Sequence, residues 1–436
     1  MAWRTREGTQ MSVSVPEATL APDKPSSTAA LPSLRELRLV PLLTTLVFVA
    51  VVLFVFWTAL QSVFLALQIQ QIDPKGAAGG LALVVGIGAI GALLSAPIAG
   101  ALSDRTRTRI GGRAPWMLVG AVATVVLAIL LAQATSITEL AVYWLLIQAS
   151  TNFVFTPILV HIPERVPVAR RGIFSASVGL SHLLGVLFGQ VAGAVFADEL
   201  LLGYLAVSAL LLVAVLTFAL VNKRSNLGVE KPPMNAGILL RTFWVNPVRY
   251  PAFGWTFLGR FLILTGFFPL TVYLLYILQD YAGLGAAAVK TMPLMGLAGM
   301  LGSAVGTPLA GWLSDRLDVT RPLIYACSAV MVAAIAVPLA FPNFAGLIVY
   351  SFLIGAGFGG FGSVDYVLIT KVLPSQDDAG KDLGIINTTT TLSQTLGVGL
   401  AGGMVSFVGS YSILFVMGIV FIILGAACVA FIRDVR

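Results

Sequence analysis

A chain of 436 residues that is 58% hydrophobic and only 10% charged, with a mean hydropathy of +0.95, has too little polar surface to cover a water-soluble core. Its net charge of +7 is spread over short separate segments and forms no single basic stripe, which excludes nucleic acid as a partner. Its two cysteines, Cys327 and Cys428, sit in apolar runs, so they make no disulfide framework and offer no metal-ligand spacing.

Residues 1–38 are polar and punctuated by Pro16, Pro22, Pro25 and Pro32. No short apolar core with a cleavage site follows the start, so this segment reads as a disordered cytoplasmic tail and not as a signal peptide. From Val40 onward, apolar stretches long enough to cross a bilayer alternate with short polar breaks. They fall at 40–70, 80–103, 115–135, 139–162, 173–196 and 200–221, then at 251–279, 287–312, 322–341, 345–372, 384–406 and 409–432. The pattern predicts an all-α integral membrane protein of twelve transmembrane helices: a six-helix half over 39–221, a cytoplasmic linker at 222–250 and a second six-helix half over 251–436.

Of the 26 Lys and Arg residues, 23 lie in the tail, the even-numbered gaps between spans and the C-terminus. Only Lys75 and Lys290 occupy the opposite gaps, and Arg260 lies inside a span. The positive-inside rule then places both termini in the cytoplasm, as expected of a multi-pass protein of the cytoplasmic membrane surrounded by lipid.

The second and eighth spans end alike. Gly100-Ala101-Leu102-Ser103-Asp104-Arg105 matches Gly311-Trp312-Leu313-Ser314-Asp315-Arg316 at every position but the second, at an offset of 211 residues. Pro163 and Pro374 share that offset near the ends of the fourth and tenth spans. Two parallel six-helix halves joined by a polar loop are one transporter repeat pattern. In each copy, Gly permits close packing, Asp can bond backbone N–H groups or a basic side chain, and Arg can grip carboxylates or anionic head groups.

The stretch from Gly100 to Arg109, followed by Arg113 and Pro115-Trp116, resembles the loop signature of the major facilitator superfamily. Ser103 to Arg109, with Gly111, Gly112, Arg113 and Pro115-Trp116 behind it, is similar to the glycoside–pentoside–hexuronide symporter and sucrose-transporter-like branch. Gly259 to Leu262, Tyr273 to Asp280 and Val364 to Gly384 resemble actinobacterial chains of that kind. The resemblance implies the twelve-helix major facilitator fold, alternating access, and a cytoplasmic gate built from Gly100, Asp104, Arg105, Arg109, Arg113, Gly311, Asp315 and Arg316. Glu164 and Arg165 resemble the superfamily's charged pair closing the fourth helix and join that gate. Symporters of the branch hold their coupling cation on two carboxylates in the second span. This chain has Ala92 and Ala96 there, ahead of Pro97, so coupling falls to other groups and the expected ion is H+.

Ionisable residues within spans are costly and mark function. Three stand out: Arg260, Asp365 and His182. Arg260 and Asp365 lie at similar depth from the cytoplasmic side, which allows an ion pair. Asp365 could carry a proton or meet substrate, form a permanent structural pair, or brace the gate beside Arg316 and Lys371. His182 could titrate near neutral pH or simply bond a neighbour.

Asn387, Thr391 and Gln394 share one face of the eleventh span. Gln148 and Asn152 do so in the fourth, Gln61 and Gln68 in the first, and Tyr273 and Tyr276 add an aromatic edge to the seventh. Together with Trp57 and Trp255, these suit a neutral hydroxylated or mixed-polarity solute. Gly185, Gly189 and Gly193, and the glycines of the eighth span, are expected to let helices approach and slide.

No phosphate-cradling loop, zinc-binding helix or nucleophile elbow is present, so no enzyme, metal site or cofactor is expected. The expected function is secondary active transport of a small organic solute by a monomer, proton-coupled and of the sugar or glycoside type. Proton-driven efflux of an amphipathic drug or natural product is the alternative, and a non-transporting receptor or scaffold a lesser one.

Overall fold

The structure, a computed structural model, describes residues 39–167, 170–223, 225–227, 250–372 and 379–432, with side chains omitted at 162–164, 171, 370 and 379–387. The expected tail, and the linker stretch 228–249, lie outside the described residues.

Twelve long helices span the described chain: α1 Leu39–Ile72, α2 Ala77–Arg105, α3 Ala114–Ala132, α4 Ile137–Arg165, α5 Arg171–Val195 and α6 Leu200–Val221, then α7 Pro251–Val272, α8 Ala288–Leu317, α9 Arg321–Ala340, α10 Phe344–Val372, α11 Ala379–Val408 and α12 Ser412–Val429. Each has a window apolar enough to cross a bilayer, where a helix satisfies its own backbone groups. Proline opens α3, α7 and α9 in the first turn, where its missing N–H costs nothing. A π turn at Leu60–Phe64 interrupts α1, and beyond α7 the chain continues through Leu274–Tyr276 into another at Ile277–Tyr281.

The helices close into a ring. In order of contact it runs α2, α4, α3, α6, α1, α5, then across to α8, α10, α9, α12, α7, α11 and back to α2. Two seams join the halves, α5 against α8 and α11 against α2. Within each half, α1 meets α4 and α7 meets α10 only sparsely, through side chains reaching across the interior.

Close packing of the glycine-rich helices confirms the repeat and corrects its register. A Cβ on Gly91 would collide with the Leu145 carbonyl oxygen, and one on Gly302 with the Phe352 carbonyl oxygen. These equivalent contacts relate α2 to α8 by 211 residues but α4 to α10 by 207, because the α8–α9 connection is shorter. Pro374, read at an offset of 211 from Pro163, lies outside the described residues, and the α4–α10 contacts follow the offset of 207. In lipid, where apolar surface gains nothing by facing another helix, such backbone approaches supply the packing energy.

Candidate solute pathway and its two ends

The end carrying the Asp-Arg loops is the basic end, and the opposite one the far end. In the second half, Arg260 of α7 crosses the interior to Asp365 of α10 and forms an ion pair with it. Its Nη1 donates to Asp365 Oδ2, its Nε to Thr389 Oγ1 at 3.0 Å and its Nη2 to Thr390 Oγ1 at 3.5 Å. Asp365 is only 2% exposed. One guanidinium thus ties α7 to both α10 and α11. Ser393 of α11 adds a bond to the Phe261 carbonyl at 2.8 Å. At the equivalent depth the first half has Phe48, Val49 and Ala50 in α1 and Ile158 in α4, all apolar. The charge pair belongs to one half alone.

Two turns further along α7, Phe267 stacks flat on Phe358 of α10, with centroids 3.9 Å apart and planes at 4°. The first half answers with an aromatic cluster. Phe54 meets Trp57, Phe155 and His182 edge to face at 5.7, 6.0 and 4.9 Å, and Trp57 meets Phe155 at 5.3 Å. Trp57 Nε1 donates to Thr151 Oγ1 at 3.1 Å, bridging α1 to α4. His182 is exposed, and Phe54, Trp57 and Phe155 are half-buried. Close by on α4, Asn152 Nδ2 bonds the Gln148 carbonyl at 2.8 Å, while Gln148 Oε1 is buried and unpaired within the protein. Gln61 is half-buried in the α1 π turn. That turn rotates Gln68 away from the face expected with Gln61. The Gln68 amide is buried against the α3–α4 turn, bonding the Leu131 carbonyl at 2.9 Å and the Tyr204 hydroxyl at 2.9 Å.

Thr391 and Gln394 are half-buried on α11, whereas the Asn387 side chain lies outside the described residues. Tyr273 and Tyr276 have no exposed surface and sit at the far-end seam. The Tyr273 hydroxyl donates to the Ala78 carbonyl of α2 at 2.8 Å, and the Tyr276 hydroxyl to the Ala66 carbonyl of α1 at 2.9 Å. Gln70 Nε2 donates to Gln279 Oε1 at 2.7 Å. All three bonds cross between the halves. Tyr411 packs on both tyrosines, at 6.3 and 5.9 Å. Beside it, desolvation raises the Asp280 carboxyl above its ordinary value.

At the basic end the two Asp-Arg loops differ. Asp104 pairs with Arg113 at 3.0 Å, and the Arg107 guanidinium bonds the Asp104 carbonyl at 2.6 Å. Asn226, just past α6, holds this loop: its Oδ1 accepts from Thr108 N at 2.9 Å and its Nδ2 donates to the Thr106 carbonyl at 2.9 Å. Arg165 reaches the Asn222 carbonyl at 3.3 Å, and the Glu164 side chain lies outside the described residues. In the second copy Asp315 is exposed, Arg316 stacks on Trp312 at 5.1 Å, and Lys371 holds Asp318 at 3.7 Å. Arg105 is half-buried and Arg109 exposed. A side chain added at Gly100, Gly172, Gly179 or Gly362 would meet open space, as would one at Gly399 or Gly403 toward the far end, whereas at Gly402 or Gly296 it would collide across a seam.

Residue pattern alone did not single out Thr389, Thr390, Asn226 or the Phe267–Phe358 stack. Threonine and phenylalanine are common in spans, and a linker asparagine carries no periodicity. Trp255 stacks on Phe431 at 4.6 Å, at the start of α7 and the end of α12.

The sequence profile of the Major Facilitator Superfamily matches residues 42–363 and 288–436. No curated protein matches the chain. Among solved structures, a point mutant of the nucleoside transporter NupG aligns at a TM-score of 0.73 and 13% identity, covering 90% of this chain and 100% of that one. A bacterial homologue of the human lysosomal transporter Spinster, inward-facing and unoccupied, aligns at 0.71 and 14%, covering 92% and 98%. At such identities the likeness is one of fold.

Proposed function

The chain belongs to the Major Facilitator Superfamily, a transporter family, and we propose that it moves a small organic solute by alternating access, with H+ coupled through the Arg260–Asp365 pair. The observation that carries this reading is a buried ion pair that joins three helices of one half and has no charged counterpart in the other. With Asp365 ionised, the pair is neutral overall and fastens α7 to α10. Protonation removes the carboxylate charge and leaves Arg260 on Thr389 and Thr390 alone, a costly state at membrane depth. Solute and proton arriving together therefore shift the second half between two arrangements.

The basic end is the cytoplasmic one, with both termini there, and the three bonds that join the halves at the far end support an inward-facing state. The protein works as a monomer in the cytoplasmic membrane with lipid around it. Asp104, Arg105, Arg109, Arg113, Arg165, Asp315 and Arg316, with Gly100 and Gly311, close the cytoplasmic gate in the opposite state. Gln61, Gln148, Asn152, His182, Thr391 and Gln394 line the pathway, while Tyr273 and Tyr276 seal its far end.

A neutral solute of the sugar or glycoside type fits these amides and hydroxyls. The half-buried aromatic surface favours a second reading, efflux of an amphipathic compound. Right-side-out and everted vesicles, given a pH gradient and a panel of glucosides plus ethidium, separate them. Accumulation that collapses with a protonophore is expected. Movement indifferent to the gradient overturns proton coupling.

A further inference from the structure

Resting on the transport reading above, the geometry points to a solute with a flat unsaturated ring, held between the Phe54–Trp57–Phe155–His182 cluster of the first half and the Phe267–Phe358 stack of the second.

Depth places the two surfaces on one level. Phe54 and Phe267 lie fifteen and sixteen residues from the starts of α1 and α7, helices that occupy equivalent places in the ring. They are interior side chains, because they bridge the sparse α1–α4 and α7–α10 crossings, and they keep exposed surface there.

The chemistry of the first-half surface is that of π faces and ring edges. Trp57 spends its only donor on Thr151, so its indole offers surface and no further hydrogen bond. The rings already meet edge to face at 4.9–6.0 Å, the arrangement their quadrupoles prefer, and another planar ring extends that packing without rearranging it. No carboxylate or guanidinium lies among these four residues. A saturated sugar can lay a C–H face on these rings but gains no ring–ring packing from them, and its hydroxyls must turn to the His182 imidazole and the amides beyond. Polar recognition remains for one edge of the solute: Gln148 Oε1 is a buried acceptor with nothing to accept from, within two turns of Phe155 on α4. A ring carrying an N–H or O–H on that edge completes it.

Three probes isolate the ring: indole, phenyl β-D-glucoside and methyl β-D-glucoside, each titrated against purified full-length protein with thermal unfolding as the readout. Indole and the phenyl glucoside raise the midpoint and the methyl glucoside does not. Phe155→Leu, which keeps an apolar side chain in place, weakens the phenyl-glucoside response at least tenfold, and Phe358→Leu acts likewise from the other half. A methyl glucoside response equal to the phenyl one overturns the inference, as does no response to either ring-bearing probe. Protonophore-sensitive accumulation in vesicles reports the transport reading separately, so failure of the ring and failure of proton coupling give different results.

Discussion

Gln70 of α1 donates to Gln279, past the end of α7, at 2.7 Å, and so joins the two halves at the end remote from the Asp-Arg loops. The bond is neutral on both sides, with Tyr273 and Tyr276 each adding a donor to a carbonyl of the opposite half. Neutral bonds of about 1 kcal/mol each suit a contact that has to open and close. Alternating access requires it to break. In a Gln70→Cys/Gln279→Cys variant, oxidation or a short bismaleimide should lock the far end and abolish transport, and reduction of the disulfide should restore it. Cys327 and Cys428 are buried and leave the background quiet. Full transport by the cross-linked protein would show that these ends do not part.

The Arg260–Asp365 pair is predicted to be strongly coupled in stability. Losing one partner strands a buried charge, at about 3–5 kcal/mol, whereas losing both removes the need for either. Asp365→Leu alone should therefore lower the thermal midpoint sharply, and Asp365→Leu/Arg260→Met should recover most of the loss. Additive losses in the double-mutant cycle would contradict a paired state.

The two Asp-Arg loops should respond unequally despite their matching sequence. Asp104→Ala removes a carboxylate bonded to Arg113, which is only 8% exposed, and is expected to cost about 1 kcal/mol. Asp315 is exposed, with no hydrogen bond or ion pair among the described residues, so Asp315→Ala should leave the midpoint unchanged. Denaturation in detergent measures both, and equal losses would mean that the loops are equivalent in this conformation.

Glycines separate packing from motion. Gly302→Val drives a branched side chain into the Phe352 carbonyl and should destabilise by about 1–3 kcal/mol or more. Gly100→Ala meets open space, so the protein should stay as stable as wild type. On the proposed gate this face closes in the opposite state, so transport by Gly100→Ala should nevertheless fall. Normal transport by that variant would remove Gly100 from the gate.

Much of this architecture is written in the chain at the level of single residues. Apolar length defines the spans, and the repeated Gly-x-Leu-Ser-Asp-Arg ends fix the two-half arrangement, because a helix end in lipid accepts few residue types. The Arg260–Asp365 pair was legible for a related reason: buried charge is so rare here that two at matching depth are natural partners. What stayed hidden depends on rotation about a helix axis and on backbone acceptors. Tyr273 and Tyr276 sit where α7 gives way to a short turn and then a π turn, which carries them to a seam instead of an open face. Gln68 satisfies carbonyls of the α3–α4 turn, and Asn226 those of the α2–α3 loop, partners that no side-chain pattern reveals. The register between α4 and α10 follows from one shorter connection, which side-chain pattern does not show.

The central claim is that Asp365 carries the coupling proton. Proton uptake by purified wild-type protein and by Asp365→Asn, followed with a pH-sensitive dye through a stepped acidification, tests it most directly. Wild type should bind a proton that Asp365→Asn does not, and a saturating solute should shift the pH at which it binds. Identical uptake by the two proteins would contradict the account.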